Sequence, residues 1–226
     1  MKYDWTVLQE TSHWLAINKP SGLTVEPVWD YPSAEEQVRS YLKETGRREQ
    51  PYLGIVHRLD RPVSGVLLLA KKKSSLRFLN QQFAERQVQK VYWAICSGSP
   101  PDQNGILEHH LLKDQREKRS VVFPAAHKGT SPAKLSYRII HRETNRTWLE
   151  VTLHTGRYHQ IRAQLAAIGC PIVGDTKYGS QLADAENSIA LHARSLTFYD
   201  PVSVQEKITC EAPVPYRAVW QKQRKI

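Results

Sequence analysis

The sequence predicts an α+β fold, a mostly antiparallel mixed sheet with flanking helices, and three observations carry that expectation. Apolar and polar residues alternate over much of the chain, the period of half-buried strands. Thr144-Asn145 separates two such stretches as a hairpin turn would. Only a few segments place apolar residues at helical spacing, and strands with interspersed helices and hairpins indicate α+β rather than a strict α/β repeat.

The elements follow in order. Trp5–Leu8 and Trp14–Asn18 read as short strands joined by a polar turn, and Lys19-Pro20-Ser21-Gly22 as a second turn. Ser33-Ala34-Glu35-Glu36 has capping-box spacing and starts a helix through Val38, Tyr41 and Leu42 that ends near Gly46. Gly54–His57 and Gly65–Ala70 read as strands flanking a charged loop. Leu76, Leu79 and Phe83 stand at i, i+3 and i+7, an amphipathic helix. Lys90–Cys96, Lys134–Arg142 and Arg146–His154 are strands; in the last, Leu149, Val151 and Leu153 share one face. Tyr158–Ile168 is a helix with Gly169 as its stop. Ile189–Phe198 and Val202–Cys210 are further strands, and Pro215–Gln223 is a final helix.

The chain has 226 residues, 40% hydrophobic and 24% charged, the balance of a globular protein. Its longest clean aliphatic run, Val66–Ala70, is far short of the roughly 20 residues of a membrane helix. No long apolar core stands behind a basic head at the N-terminus, so no secretory signal is expected. Cys96, Cys170 and Cys210 are far apart and odd in number, which disfavours a disulfide framework and a CxxC zinc site and fits a reducing cytoplasm. The net charge is +10. Residues 57–90 carry Arg58, Arg61, Lys71, Lys72, Lys73, Arg77, Arg86 and Lys90 against Asp60 and Glu85. Residues 110–142 carry Lys113, Arg116, Lys118, Arg119, Lys128, Lys134, Arg138 and Arg142 against Asp114 and Glu117. Such blocks suit a polyanion, nucleic acid first, or simply a solvated basic face.

Two segments could carry chemistry. In His57-Arg58-Leu59-Asp60-Arg61-Pro62, a loop between apolar strands, Asp60 sits between two arginines. Neighbouring positive charge keeps a carboxylate ionised and available as nucleophile or base; the plainer alternative is a polar turn with surface ion pairs. Thr155-Gly156-Arg157-Tyr158-His159-Gln160-Ile161-Arg162 crosses from a strand into a helix. Gly156 permits a tight turn, free amides at a helix start accept phosphate, and Arg157 and Arg162 are forked donors. His159 and Arg162, at i and i+3, share a face; here the alternative is a solvated helix start.

Together the two segments are far more specific. His57-Arg58-Leu59-Asp60 followed by Ser64-Gly65 resembles the signature of RluA-type pseudouridine synthases, and Gly156–Arg162 resembles that family's third motif. Lys90-Val91-Tyr92-Trp93-Ala94 is similar to its K-x-Y-x-A strand, and Asn18–Gly22 to its first motif. Gly174-Asp175-Thr176-Lys177-Tyr178-Gly179 and Leu191-His192-Ala193 match its later landmarks, so the resemblance runs from about Asp4 to about Pro213. Val63 stands where the family usually has threonine.

The resemblance implies the pseudouridine synthase fold with a central RNA-binding cleft: residues 1–226 as one catalytic domain of two sub-halves, with no N-terminal S4 domain. It implies a cytoplasmic, monomeric, membrane-free isomerase that converts uridine to pseudouridine in transfer RNA, large-subunit ribosomal RNA or both. No metal or organic cofactor is implied; His109-His110 lacks companions at metal spacing. Asp60, Tyr92 and Arg162 are the implied catalytic residues: Asp60 as the carboxylate acting at the sugar, Tyr92 packed on the uracil, Arg162 paired with Asp60. His57, Arg58, Lys90, Arg157, His159 and Gln160 are the implied RNA-binding residues, with Arg58 filling the space of a flipped base. Trp5, Trp14, Trp29, Trp148 and Trp220 are expected to pack, and Asp175 and Tyr178 to shape a structural turn. Two other readings compete: a non-catalytic RNA-binding factor on the same scaffold, and a metal-dependent nuclease using Asp60, His57 and Asp175.

Overall fold

The computed structural model describes residues 3–29, 31–46 and 49–225. The chain divides into two compact units: residues 1–89 with 193–215, and residues 90–192 with 216–226.

In the first unit, strands β1 (Thr6–Glu10), β2 (Trp14–Lys19), β4 (Ser64–Ala70) and β10 (Leu191–Tyr199) lie side by side in that order. The two-residue β3 (Gly54–Ile55) pairs with β4, and β11 (Lys207–Glu211) with β10. The β1–β2, β2–β4, β3–β4 and β10–β11 pairs are all antiparallel. Every residue of β4 is buried, which is why its sequence is a continuous apolar run rather than an alternating one. Helix α1 (Ala34–Thr45) starts where the capping box places it: the Glu36 amide donates to Ser33 Oγ at 3.2 Å. Helix α2 (Lys73–Ala84) lies on β3 and β4. It is tied to β10 by Gln82, whose Nε2 donates to the Tyr199 carbonyl (2.9 Å) and whose Oε1 accepts from the Tyr199 amide (2.7 Å). The core gathers Trp14, Val66, Leu68, Leu79, Leu196 and Phe198. Gly65 must be glycine: its φ is +117°, and a Cβ would fall 2.2 Å from the Ala193 carbonyl oxygen.

In the second unit, β5 (Gln89–Ser97), β9 (Arg146–Leu153), β8 (Ser131–Arg142), β6 (Asn104–Asp114) and β7 (Arg119–Phe123) form an antiparallel run in that order. The expected hairpin is β8–β9, with Leu149 and Val151 buried. The β6–β7 hairpin was not expected. It carries Lys113, Arg116, Lys118 and Arg119, half of the second basic block's cations, on a defined ribbon. Helix α3 (Gln160–Ala167) lies against β6 and β7.

Several boundaries differ from the sequence expectation: β1 runs Thr6–Glu10 rather than Trp5–Leu8, and β3 stops at Ile55 rather than His57. Helix α3 starts at Gln160 rather than Tyr158, because His159 takes a left-handed conformation (φ 50°) that no helix continues through. The strand expected over Val202–Cys210 begins at Lys207; Val202 and Val204 are exposed in the preceding turn, so their β-branching reflects no packing. The final helix is a 3-10 segment, Ala218–Lys225. Trp5, Trp14, Trp148 and Trp220 are buried as expected; Trp29 is not, being 95% exposed. Cys96, Cys170 and Cys210 are buried free thiols.

Candidate active site

The Asp60 loop belongs to the first unit. It runs from β3 to β4 and is held from several sides. The Val63 amide donates to the Asp60 carbonyl at 3.0 Å, closing a turn over Arg61-Pro62, and the Gly22 amide donates to the Arg61 carbonyl at 2.8 Å. Leu59 and Val63 are buried beneath it. An apolar side chain therefore suits position 63, where a hydroxyl would need a partner in the interior. Asp60 is half-buried. His57 faces inward: its ring stacks on Phe83 of α2 (centroids 5.2 Å apart), and its Nε2 accepts from the Leu68 amide at 3.0 Å. A nitrogen that accepts carries no proton, so this bond requires the neutral ring. Arg58 is exposed and ion-paired with Glu26, its Nη2 donating at 3.1 Å.

A residue the motif reading left unassigned sits beneath this loop. Lys19, at the end of β2, is fully buried. Its Nζ donates to the carbonyls of Pro20 (2.8 Å), Leu23 (2.8 Å) and Arg61 (3.4 Å). Burial pushes the ammonium down from its ordinary value to about 7, with the Asp60 carboxylate acting in the opposite direction. Its signals in the sequence were its place in Asn18–Gly22, the stretch similar to the family's first motif, and its position closing the apolar run Trp14–Ile17.

Lys19 makes stability depend on pH with a definite sign. Its folded pKa of about 7 lies below the unfolded value of about 10.4. Between those values the unfolded chain binds more protons, so stability rises with pH across that window; below pH 7 the full cost of burying the charge is present. Replacing Lys19 by Met is expected to remove this dependence. In urea unfolding, the parent should gain about 2 kcal/mol over Lys19→Met between pH 7 and pH 9. Parallel curves for the two proteins would refute it.

The remaining motif residues belong to the second unit. Lys90 and Tyr92 stand two apart on β5, opposite Leu153 and Val151 of β9, and so share a face. A Cβ on Gly156 would lie 3.6 Å from Lys90 Nζ. The segment between β9 and α3 is organised by Gln160, which is buried. Its Oε1 accepts from Thr155 Oγ1 (2.8 Å) and the Arg157 amide (3.0 Å), and its Nε2 donates to the Lys134 carbonyl (3.1 Å). Arg157 is exposed and donates to the Pro132 carbonyl at 3.0 Å. His159 lies under the exposed Tyr158 (centroids 3.9 Å apart), with Nδ1 3.1 Å from Tyr178 Oη.

Arg162 is buried with a carboxylate partner that the motif reading did not give it. Nε and Nη2 donate to Asp175 Oδ2 and Oδ1 at 2.7 and 2.9 Å, and the two side chains are 6% and 1% exposed. Asp175 precedes and Tyr178 ends the short 3-10 turn Thr176–Tyr178, so that turn does more than reverse the chain. Tyr178 presents its ring 5.2 Å from the Arg162 guanidinium, while its Oη accepts from the Ser120 amide at 2.7 Å. The forked pair is the geometry expected for a buried guanidinium. It also bears on the metal-nuclease reading, since both Asp175 oxygens are engaged by Arg162 and His57 Nε2 by the Leu68 amide. Among the described residues, no three His, Cys, Asp or Glu side chains gather in a cluster that could hold a metal ion.

Residues 13–167 match the family model described as RNA pseudouridylate synthase. A ribosomal large subunit pseudouridine synthase C from Vibrio cholerae is 34% identical over 215 residues, covering 92% of this chain and 65% of that protein. A dual-specificity RNA pseudouridine synthase RluA from Vibrio vulnificus is 34% identical over 207 residues, covering 88% of this chain and 80% of that protein. The chain thus spans about two thirds of the length of several curated relatives. In fold it is similar to human RNA pseudouridylate synthase domain containing 4, with a TM-score of 0.78 at 22% identity, covering 93% of this chain and 88% of that one.

Proposed function

The chain belongs to the RluA-type RNA pseudouridylate synthase family, and on that premise we propose that it isomerises uridine to pseudouridine in RNA. In this reading it acts as a cytoplasmic monomer without metal or organic cofactor, on transfer RNA, large-subunit ribosomal RNA or both. The observation that carries the reading is the Asp60 loop, a carboxylate on a turn fixed by the Val63 and Gly22 amides and underlain by Lys19, inside the segment that matches the family. A fixed turn supports catalysis because a reacting group must be held close to its productive geometry before substrate arrives.

The proposed reaction breaks the C1′–N1 bond of uridine, turns the uracil and joins its C5 to C1′, the C5 hydrogen leaving as a proton and N1 taking one up. No atom is added, so no co-reactant is required. Asp60 acts at the sugar, as nucleophile at C1′ or as the group that manages a glycal intermediate. A uracil stacked within structured RNA must first be flipped out, at a cost of a few kcal/mol. Arg58, exposed and held only by Glu26 among the bonds given above, fills the vacated space. Tyr92 stacks on the flipped uracil, its phenol offering both a π-face and a hydrogen-bonding group. Arg162 is assigned to the same catalytic set as Asp60, with its Nε and Nη2 held in place by Asp175. Lys90 and Arg157 meet phosphates; of the other expected RNA-binding residues, His57 orders the Asp60 loop through Phe83 and the Leu68 amide, and His159 and Gln160 order the segment that carries Arg157.

The test is a map of pseudouridines in transfer and ribosomal RNA from cells with and without the gene. The expected result is the loss of one or more defined pseudouridines on deletion, restored by the parent gene and not by one encoding Asp60→Asn. Identical maps would leave RNA binding without chemistry as the better account.

A further inference from the structure

The loop between β2 and α1 displays the most exposed tryptophan of the described residues. We propose that Trp29 is a stacking platform for an unpaired nucleobase of the RNA strand beside the target uridine; this rests on the RNA-directed function proposed above and adds a contact that the motif residues do not supply.

The display is built rather than incidental. At its base, the Thr24 amide and Oγ1 donate to the Pro32 carbonyl (3.3 and 3.0 Å), and the Ala34 amide donates to the Thr24 carbonyl (2.8 Å). Pro27 and Pro32 flank the tip and restrict its backbone. The chain reverses between Val28 and Tyr31, where the Tyr31 amide donates to the Val28 carbonyl at 3.1 Å. Trp29 at this reversal has φ 49°, a left-handed conformation that a bulky residue rarely adopts. Strain of this kind is kept where the surroundings enforce it, and here its product is an indole 95% exposed to solvent. Val28 and Tyr31 beside it are 45% and 49% exposed.

The occupant follows from what the loop touches. Both arginines of the Asp60 loop reach back to it: Arg58 pairs with Glu26, and the Arg61 guanidinium lies 4.5 Å from the centre of the Tyr31 ring. The loop that carries the indole is thus tied to the segment assigned to the flipped uridine. A strand opened by base flipping presents unpaired bases there, and every base has a π-face that an aromatic side chain can take. Glu26 accompanies the two arginines, so the tip itself offers no strong attraction for phosphate, and stacking is the contact left to Trp29. A preformed, proline-flanked loop loses little freedom on binding, which favours such a contact.

The test compares the parent, Trp29→Ala and Trp29→Phe. Turnover is read on C5-tritiated uridine RNA prepared from cells lacking the gene, and binding on oligouridylate. Trp29→Ala should weaken oligouridylate binding roughly tenfold, the scale of one lost base–aromatic stack, with the larger part of the kinetic effect in KM. Trp29→Phe should recover most of it, because a phenyl ring still stacks. The slope of log K against log salt should change by less than about half a unit, since no phosphate contact is removed. Oligouridylate should also shield the acrylamide-quenchable tryptophan emission that Trp29→Ala lacks. Unchanged affinity and KM in Trp29→Ala would overturn the proposal, as would quenching indifferent to RNA. Loss of self-association in sedimentation, with RNA binding intact, would overturn it too and make the patch a contact between copies. If the parent releases no tritium, the isomerase reading falls, and the binding and quenching arms still decide the role of Trp29.

Discussion

Arg162→Ala and Asp175→Ala are each expected to destabilise the second unit by about 3–5 kcal/mol, the cost of breaking a buried ion pair by removing one partner. Each deprives the other side chain of two charge-assisted hydrogen bonds in a setting almost completely shielded from water. That loss is a large fraction of the roughly 5–15 kcal/mol that stabilises a typical domain. The double variant should cost well under the sum of the two, because both single deletions remove the same two hydrogen bonds. Urea unfolding of the three variants measures the coupling. Arg162→Ala should also impair turnover severely while leaving the salt slope of RNA binding nearly unchanged, whereas loss of a phosphate contact lowers that slope by about one unit. Additive costs below about 1 kcal/mol each would show that the pair is structurally idle. A full unit lost from the salt slope would make Arg162 an RNA ligand.

Asp60→Asn is expected to be the most damaging substitution for activity and among the mildest for the fold. The Asp60 backbone carbonyl, which closes the turn with Val63, is retained, and an amide of the same shape replaces a half-buried carboxylate. RNA affinity should stay within about threefold, because affinity for nucleic acid comes mainly from phosphate contacts. Turnover should fall by more than about a thousandfold, the scale of losing a group that takes part directly in bond changes. Single-turnover assays under saturating enzyme separate the two effects. Residual turnover within tenfold of the parent would remove Asp60 from the chemistry.

Much of this molecule was legible in the sequence, for reasons that differ from element to element. Helix α1 was readable because its cap is local: Ser33 and Glu36 are three residues apart. The β8–β9 hairpin was readable because one face of β9 is buried and alternates. The β6–β7 hairpin was not, because β6 buries only Leu107 and Leu111 and shows solvent a mixture of charge and histidine. Its pattern is that of a charge run until a partner strand is seen. The helical start at Tyr158 failed because the left-handed turn at His159 is held by long-range contacts, to Tyr178 among others.

The site divides in the same way. Asp60, Tyr92 and Arg162 stand in the stretches that resemble the family's motifs, and the resemblance is what named them. Asp175 and Lys19 could not be given roles, because theirs come from tertiary contact: Asp175 is 13 residues from the arginine it holds, and Lys19 is 42 residues from the Arg61 carbonyl. Trp29 was expected to pack because large aromatics usually do, and nothing in its neighbours announces a left-handed backbone there.

The central claim, that this chain turns uridine into pseudouridine, is tested most directly by incubating the parent protein with C5-tritiated uridine RNA from cells lacking the gene. Tritium in the water and RNA length are measured together. The account predicts tritium release equivalent to a small, fixed number of uridines per RNA, with the strands intact and their mass changed only by the lost label. Tight binding without release, or release accompanied by strand scission, would contradict it.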